Sequence, residues 1–172
     1  MKIVQVFFFA VVIIAAWHGS GFSEGLNLDS QVKQQIEEQT IEKQFVILKS
    51  TKDYKDALQT AQIASKSLGI NLDLRNLTEN KKLGLSFPEK ICEEENGFNF
   101  PCYVARGRYD DGDYISIEYS SAFEGFEKGY YIVVASSHPK DSNEISDILK
   151  RVKKKYKDAY ARTTKVYVGC MH

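Results

Sequence analysis

Apolar positions along the chain fall into a pattern that occurs twice: a short β-branched run, then a helical stripe, then a second extended segment. Residues 45–50 read Phe-Val-Ile-Leu-Lys-Ser, a run that predicts a strand. Asp53 then precedes Ala57, Leu58, Ala61, Ala64 and Leu68, spaced as one face of a helix that stops at Gly69. Asn71, Leu72, Asp73, Leu74 and Arg75 alternate polar and apolar, as in a half-buried strand. The same order returns about 86 residues later, counting from Phe45 to Tyr131. Residues 130–136 make an apolar strand ending in Ser136, and His138-Pro139 breaks it. Asp141 or Ser142 can cap a helix beginning there. Ile145, Ile148, Leu149, Val152 and Tyr156 form its apolar stripe, and residues 159–168 predict a closing strand.

Each β-α-β unit leaves an apolar sheet face and an apolar helix stripe uncovered, so the two units must pack side by side. The expected fold is α+β, a ferredoxin-like βαββαβ sheet with two helices on one face. Residues 78–125 form an insertion between the halves, longer than a simple connection. It carries a strand of its own at 114–119, where Ile115 and Ile117 alternate with Tyr114, Ser116 and Glu118. That strand is expected to join the sheet or lie over it. Residues 24–43 are polar, with a weak stripe of Val32, Ile36 and Ile41, and predict a linker helix leading into a domain spanning 44–172.

Composition narrows the class. The 172 residues hold 23 Lys+Arg and 23 Asp+Glu, which excludes a polycationic nucleic-acid binder and an acidic tail. A 43% hydrophobic, 12% aromatic content supplies a core and excludes disorder for the bulk of the chain. The N-terminus changes the compartment. Lys2, an apolar stretch over 3–17 and the small residues Gly19, Ser20, Gly21 and Ser23 have the layout of a secretory signal peptide at 1–23. The apolar stretch falls short of the ~20 residues a spanning helix needs. The expected location is periplasmic or secreted, with the membrane touched only through an uncut signal. Export makes the cysteines informative. Cys92, Cys102 and Cys170 allow three single pairings, and the Asn96-Gly97 turn between the first two favours Cys92 with Cys102.

The duplicated β-α-β with a Ser after each first strand resembles the SPOR (sporulation-related repeat) domain. The stretch 149–160, Leu-Lys-Arg-Val-Lys-Lys-Lys-Tyr-Lys-Asp-Ala-Tyr, is similar to the corner through which the second SPOR helix leaves for the last strand. The resemblance covers roughly residues 44–77 and 129–166. The chain also resembles exported bacterial envelope proteins that end in Gly-Cys-Met-His, here residues 169–172. By implication it is a non-enzymatic envelope protein that takes peptidoglycan glycan strands on its sheet face, or an envelope protein partner, with no cofactor. A typical SPOR strand projects a Gln or Arg followed by Gly-Ser. Here Ile47 and Lys49 hold those places, with Val133 and Ala135 in the second unit. An all-apolar central strand is normally covered on both faces, so the insertion is expected over the face that SPOR domains offer to glycan.

Tyr103, Tyr109, Tyr114, Tyr119, Phe123 and Phe126 gather in the insertion beside Arg106 and Arg108. Sugar rings stack on aromatic faces while Arg bonds their hydroxyls, which makes Arg106, Arg108, Tyr109, Tyr114 and Tyr119 the candidate ligand-binding residues. The competing assignment makes these aromatics the insertion's own core. Ser136, Ser137, His138 and Asp141 are neighbours along the chain, which nucleophilic relays seldom use. Asp110, Asp111 and Asp113 lack the spacing of a calcium loop. Cys170, Met171 and His172 offer soft-metal ligands, but three consecutive residues seldom reach one ion. Lys150, Arg151, Lys153, Lys154, Lys155 and Lys157 form a basic surface, ordinarily solvated.

Overall fold

The computed structural model describes residues 24–169. The expected signal at 1–23 and the Cys170-Met171-His172 terminus lie outside the described residues. Contacts divide the described residues into two units, with the division after Gln35. The first element is helix α1 (Glu24–Glu38). Where the sequence predicts a linker helix to residue 43, the chain is already extended at Thr40, whose Oγ1 donates to the Ile36 carbonyl at 2.6 Å.

In the second unit, β1 (Thr40–Thr51), β4 (Ser116–Tyr119), β5 (Tyr131–Pro139) and β6 (Tyr160–Tyr167) form one sheet in the order β4-β5-β1-β6. All three pairings are antiparallel. Helix α2 (Tyr54–Leu68) starts where Asp53 Oδ1 accepts from the Lys55 and Asp56 amides, and ends at Gly69 in the left-handed region. Its buried stripe is Ala57, Ala61 and Ala64, small enough to bring the helix close to the sheet. Helix α3 (Glu144–Lys153) buries Ile145, Ile148 and Val152. Both helices share one core with Val46, Leu48, Ile117, Val133 and Ala135, so both lie on the same side of the sheet.

The continuous apolar runs of β1 and β5 are covered on their other side as well. Phe45, Ile47, Ile132, Val134 and Val166 form a second core with Phe123 at the end of the insertion and Phe126 just after it. The Phe123 ring meets Phe45 edge-on at 5.1 Å and Phe126 at 5.6 Å. The face opposite the helices is thus closed by aromatic side chains from residues 123–126.

The sequence expectation of a strand at 71–75 is corrected. These residues make a single bridge, Leu72 to Ile115, with Asp73 N donating to Ile115 O and Ile115 N to Asn71 O. Asp73 Oδ1 then accepts from Arg75 N at 2.7 Å, and Arg75 and Asn76 both take a left-handed φ of 56°. A side-chain turn outcompetes the ladder there. The strand that pairs with β5 comes instead from the insertion, as β4.

The insertion also contains a hairpin, β2 (Thr78–Asn80) with β3 (Gly84–Ser86), that the apolar pattern does not predict. Gly84 is required: its φ is 79°, and a Cβ there would collide with the Tyr119 ring. Cys92 and Cys102 form a disulfide with Cα atoms 5.7 Å apart. Cys102 is stitched to β3, its amide donating to Ser86 Oγ and its carbonyl accepting from Phe87 N at 3.0 Å. Replacing both cysteines by serine should lower stability by about 2–3 kcal/mol, as expected for so short a loop. Urea denaturation with and without reductant measures this, and identical midpoints would show the bond to be energetically idle.

Candidate functional site

The polar side of β4 does not face water. Ile117 points toward the helices, and the alternating neighbours Ser116 and Glu118 are fully buried beneath residues 103–106. A buried carboxylate is costly unless it is paired and hydrogen-bonded, and Glu118 is both. Arg75 Nη1 reaches its two oxygens at 3.1 and 3.0 Å, the Tyr103 hydroxyl donates at 2.5 Å and the Arg106 amide at 3.3 Å. The left-handed turn at Arg75 places this side chain, which also contacts Asp110 at 3.0 Å and donates to Val104 O at 3.1 Å. Burial lowers the Arg75 pKa, but the charges of Glu118 and Asp110 outweigh it and hold it above its usual value. The Tyr103 hydroxyl is pushed well above its ordinary value by burial and then by the Glu118 charge.

Arg106 is the largest fully buried side chain among the described residues. Its guanidinium lies 3.5 Å over the Tyr114 ring. Nη1 donates to Tyr114 O and Ser116 Oγ, both at 2.9 Å, and Nη2 to Gly112 O at 2.8 Å. Burial pulls its pKa below the ordinary value. Tyr114 is raised, chiefly by burial and further by its 2.6 Å hydrogen bond to Asp110. The aspartates of the following turn act as internal struts. Asp110 accepts from Gly107 N, Asp111 pairs with the buried Lys43 and accepts from Ser137 Oγ, and Asp113 accepts from Ser136 Oγ at 2.6 Å. His138 Nε2 lies 3.3 Å from that same Asp113 oxygen. The carboxylate therefore sits between serine and imidazole, whereas in a nucleophilic relay the imidazole is the middle group. Asp141 is exposed. Among the described residues, no group of three or more His, Cys, Asp and Glu is gathered as a metal site would need.

The five candidate ligand residues accordingly separate. Arg106 is fully buried, Tyr114 is half-buried against its guanidinium, and the Tyr119 ring packs on Tyr131 at 5.3 Å. Arg108 and Tyr109 stay together at the surface, beside the C-terminal end of β6. The Arg108 guanidinium lies 5.0 Å from the Tyr109 ring and 4.8 Å from the Tyr167 ring, and donates to the Gly169 carbonyl. Tyr109 is 71% exposed. Next to them opens a cleft of about 220 Å³, lined by Arg108, Lys165, Tyr167, Phe123 and residues 103–105. A second cleft of about 240 Å³ lies at the other end of β6, between Tyr130, Tyr160, Phe126, Glu127 and Arg162. Two cations and a tyrosine ring give the first cleft the chemistry to stack on a ring and bind an anion.

Lys165 and Tyr167 are not legible as site residues in the sequence because they come from the last strand, 57 and 59 residues beyond Arg108. No protein family, curated protein or solved structure matches this chain.

Proposed function

We propose that this chain is a non-enzymatic binding module of the bacterial cell envelope, a SPOR-like domain on the ferredoxin-like βαββαβ plan, that holds peptidoglycan glycan strands. Two helices on one side of an antiparallel sheet ordered β4-β5-β1-β6 support the plan. The observation that carries the function is the cleft where Arg108 and Lys165 stand beside Tyr167. Removing a stem peptide bares a lactyl carboxylate on each muramic residue, a partner for guanidinium, while the sugar ring offers a face to tyrosine. Because Phe123 and Phe126 cover the middle of the sheet, glycan would bind at this margin and not across the central strands. The disulfide suits an oxidising compartment outside the cytoplasm.

The test is co-sedimentation of the purified protein with sacculi, intact and amidase-stripped. Pelleting should rise on stripped sacculi, and Arg108→Ala should weaken it about tenfold or more, the usual worth of a hydrogen bond to a charged group. No pelleting at about 100 μM, a threshold of about −5.5 kcal/mol, rejects glycan binding. The second function, a protein–protein module of the periplasm, is favoured by the aromatic cover over the sheet face. Retention of an envelope protein without sacculus binding would establish it.

A further inference from the structure

The helix layer carries a charge pattern that glycan binding leaves unused. The chain is balanced as a whole, yet six of the eight residues from 150 to 157 are Lys or Arg. The C-terminal dipole of α3 accounts for Lys150, Arg151 and Lys153 in its last turn. It does not account for Lys154, Lys155 and Lys157, which come after the helix. Two of the six cations are committed to the fold. Arg151 Nη2 donates to Leu68 O at 3.1 Å, and Lys155 Nζ donates to Ser67 O. These bonds occupy carbonyls at the end of α2 and hold the C-termini of α2 and α3 side by side, which brings Lys66 of α2 to the same surface.

The remaining lysines are exposed. Lys66, Lys153, Lys154 and Lys157 have no ion-pair partner among the described residues, and Lys150 has only a solvent-exposed contact with Asp147 at 3.5 Å. Neither of the two clefts is lined by them. Lysines are mobile point charges without the fork that fixes one carboxylate or phosphate, so an array of them outside both clefts matches a diffuse anionic surface. The apolar stripe of α3 is buried against the sheet, which rules out insertion of that helix. Ile63, 53% exposed and three residues before Lys66, puts one apolar side chain on the outward face of α2.

We propose that this patch docks the domain on an anionic phospholipid surface, with Lys66, Lys150, Lys153, Lys154 and Lys157 facing the headgroup phosphates. The test is co-sedimentation of the full chain with phosphatidylglycerol-rich and with pure phosphatidylcholine vesicles, at low and high salt. The expected result is a preference for the anionic vesicles that falls with salt. The K150Q/K153Q/K154Q/K157Q variant, whose melting temperature serves as the folding control, should lose more than ~100-fold of the anionic binding, at about fivefold per lysine. Equal binding to both vesicles, or a preference retained by the variant, overturns the proposal. Tighter retention by soluble polyphosphate than by vesicles also overturns it, in favour of an anionic polymer.

Discussion

Glu118→Ala should lower the stability of the domain by roughly 3–5 kcal/mol, the usual cost of removing one partner from a buried ion pair. The carboxylate is fully buried and accepts from Arg75, Tyr103 and the Arg106 amide at once, so its loss strands charge as well as hydrogen bonds. Among the described residues Arg75 would keep Asp110 alone as a counter-charge, and the Tyr103 hydroxyl would lose its acceptor. In a domain of this size the melting temperature should fall by about 10 °C. The double variant Arg75→Met with Glu118→Leu separates the pair's worth from the cost of orphaning one member. It should recover much of the loss, since an apolar pair of similar volume often replaces a buried ion pair at little cost. A single-variant loss below about 1 kcal/mol would mean that water reaches Arg75 in solution and that the network is not sealed.

This network marks where sequence legibility stops. The alternation over 114–119 is plain in the sequence, and so is the burial of Ile115 and Ile117. What the alternation cannot say is whether its polar side meets water or another layer. The answer depends on residues 103–106 folding back over β4 and on Arg75 arriving 43 positions upstream of Glu118. Arg106 shows the same limit from the other direction: beside Tyr109 and Tyr114 it suits a ligand surface, yet it stacks on Tyr114 in the interior. The strand expected at 71–75 fails for a local reason, because Asp73 closes a turn onto Arg75 N, and Arg75 and Asn76 turn left-handed. By contrast, α2 is legible to the residue, since Asp53, the alanine stripe and Gly69 act within one helix. The Arg108 cleft is half legible, with Arg108 and Tyr109 in the insertion and Lys165 and Tyr167 on β6.

Phe123→Ala tests the closure on which the placement of the binding site depends. The ring is 1% exposed, lies against Phe45 and Phe126, and forms part of the cleft wall beside Arg108. Truncation should cost about 3–5 kcal/mol, the range for a buried phenylalanine whose site cannot collapse fully. Uncovering Phe45, Ile47 and Val134 should also create binding of a hydrophobic dye under native conditions, which thermal melting alone would not register. Phe123→Leu keeps most of the volume and should lose less than half as much. A loss near zero would have a different meaning, namely that residues 123–126 do not hold to the sheet in solution. The central strands would then be open to ligand, and sacculus binding should become insensitive to Arg108→Ala. A large loss with sacculus binding confined to the Arg108 margin would show that the apolar strands are sealed for stability and that recognition has moved to the sheet's edge.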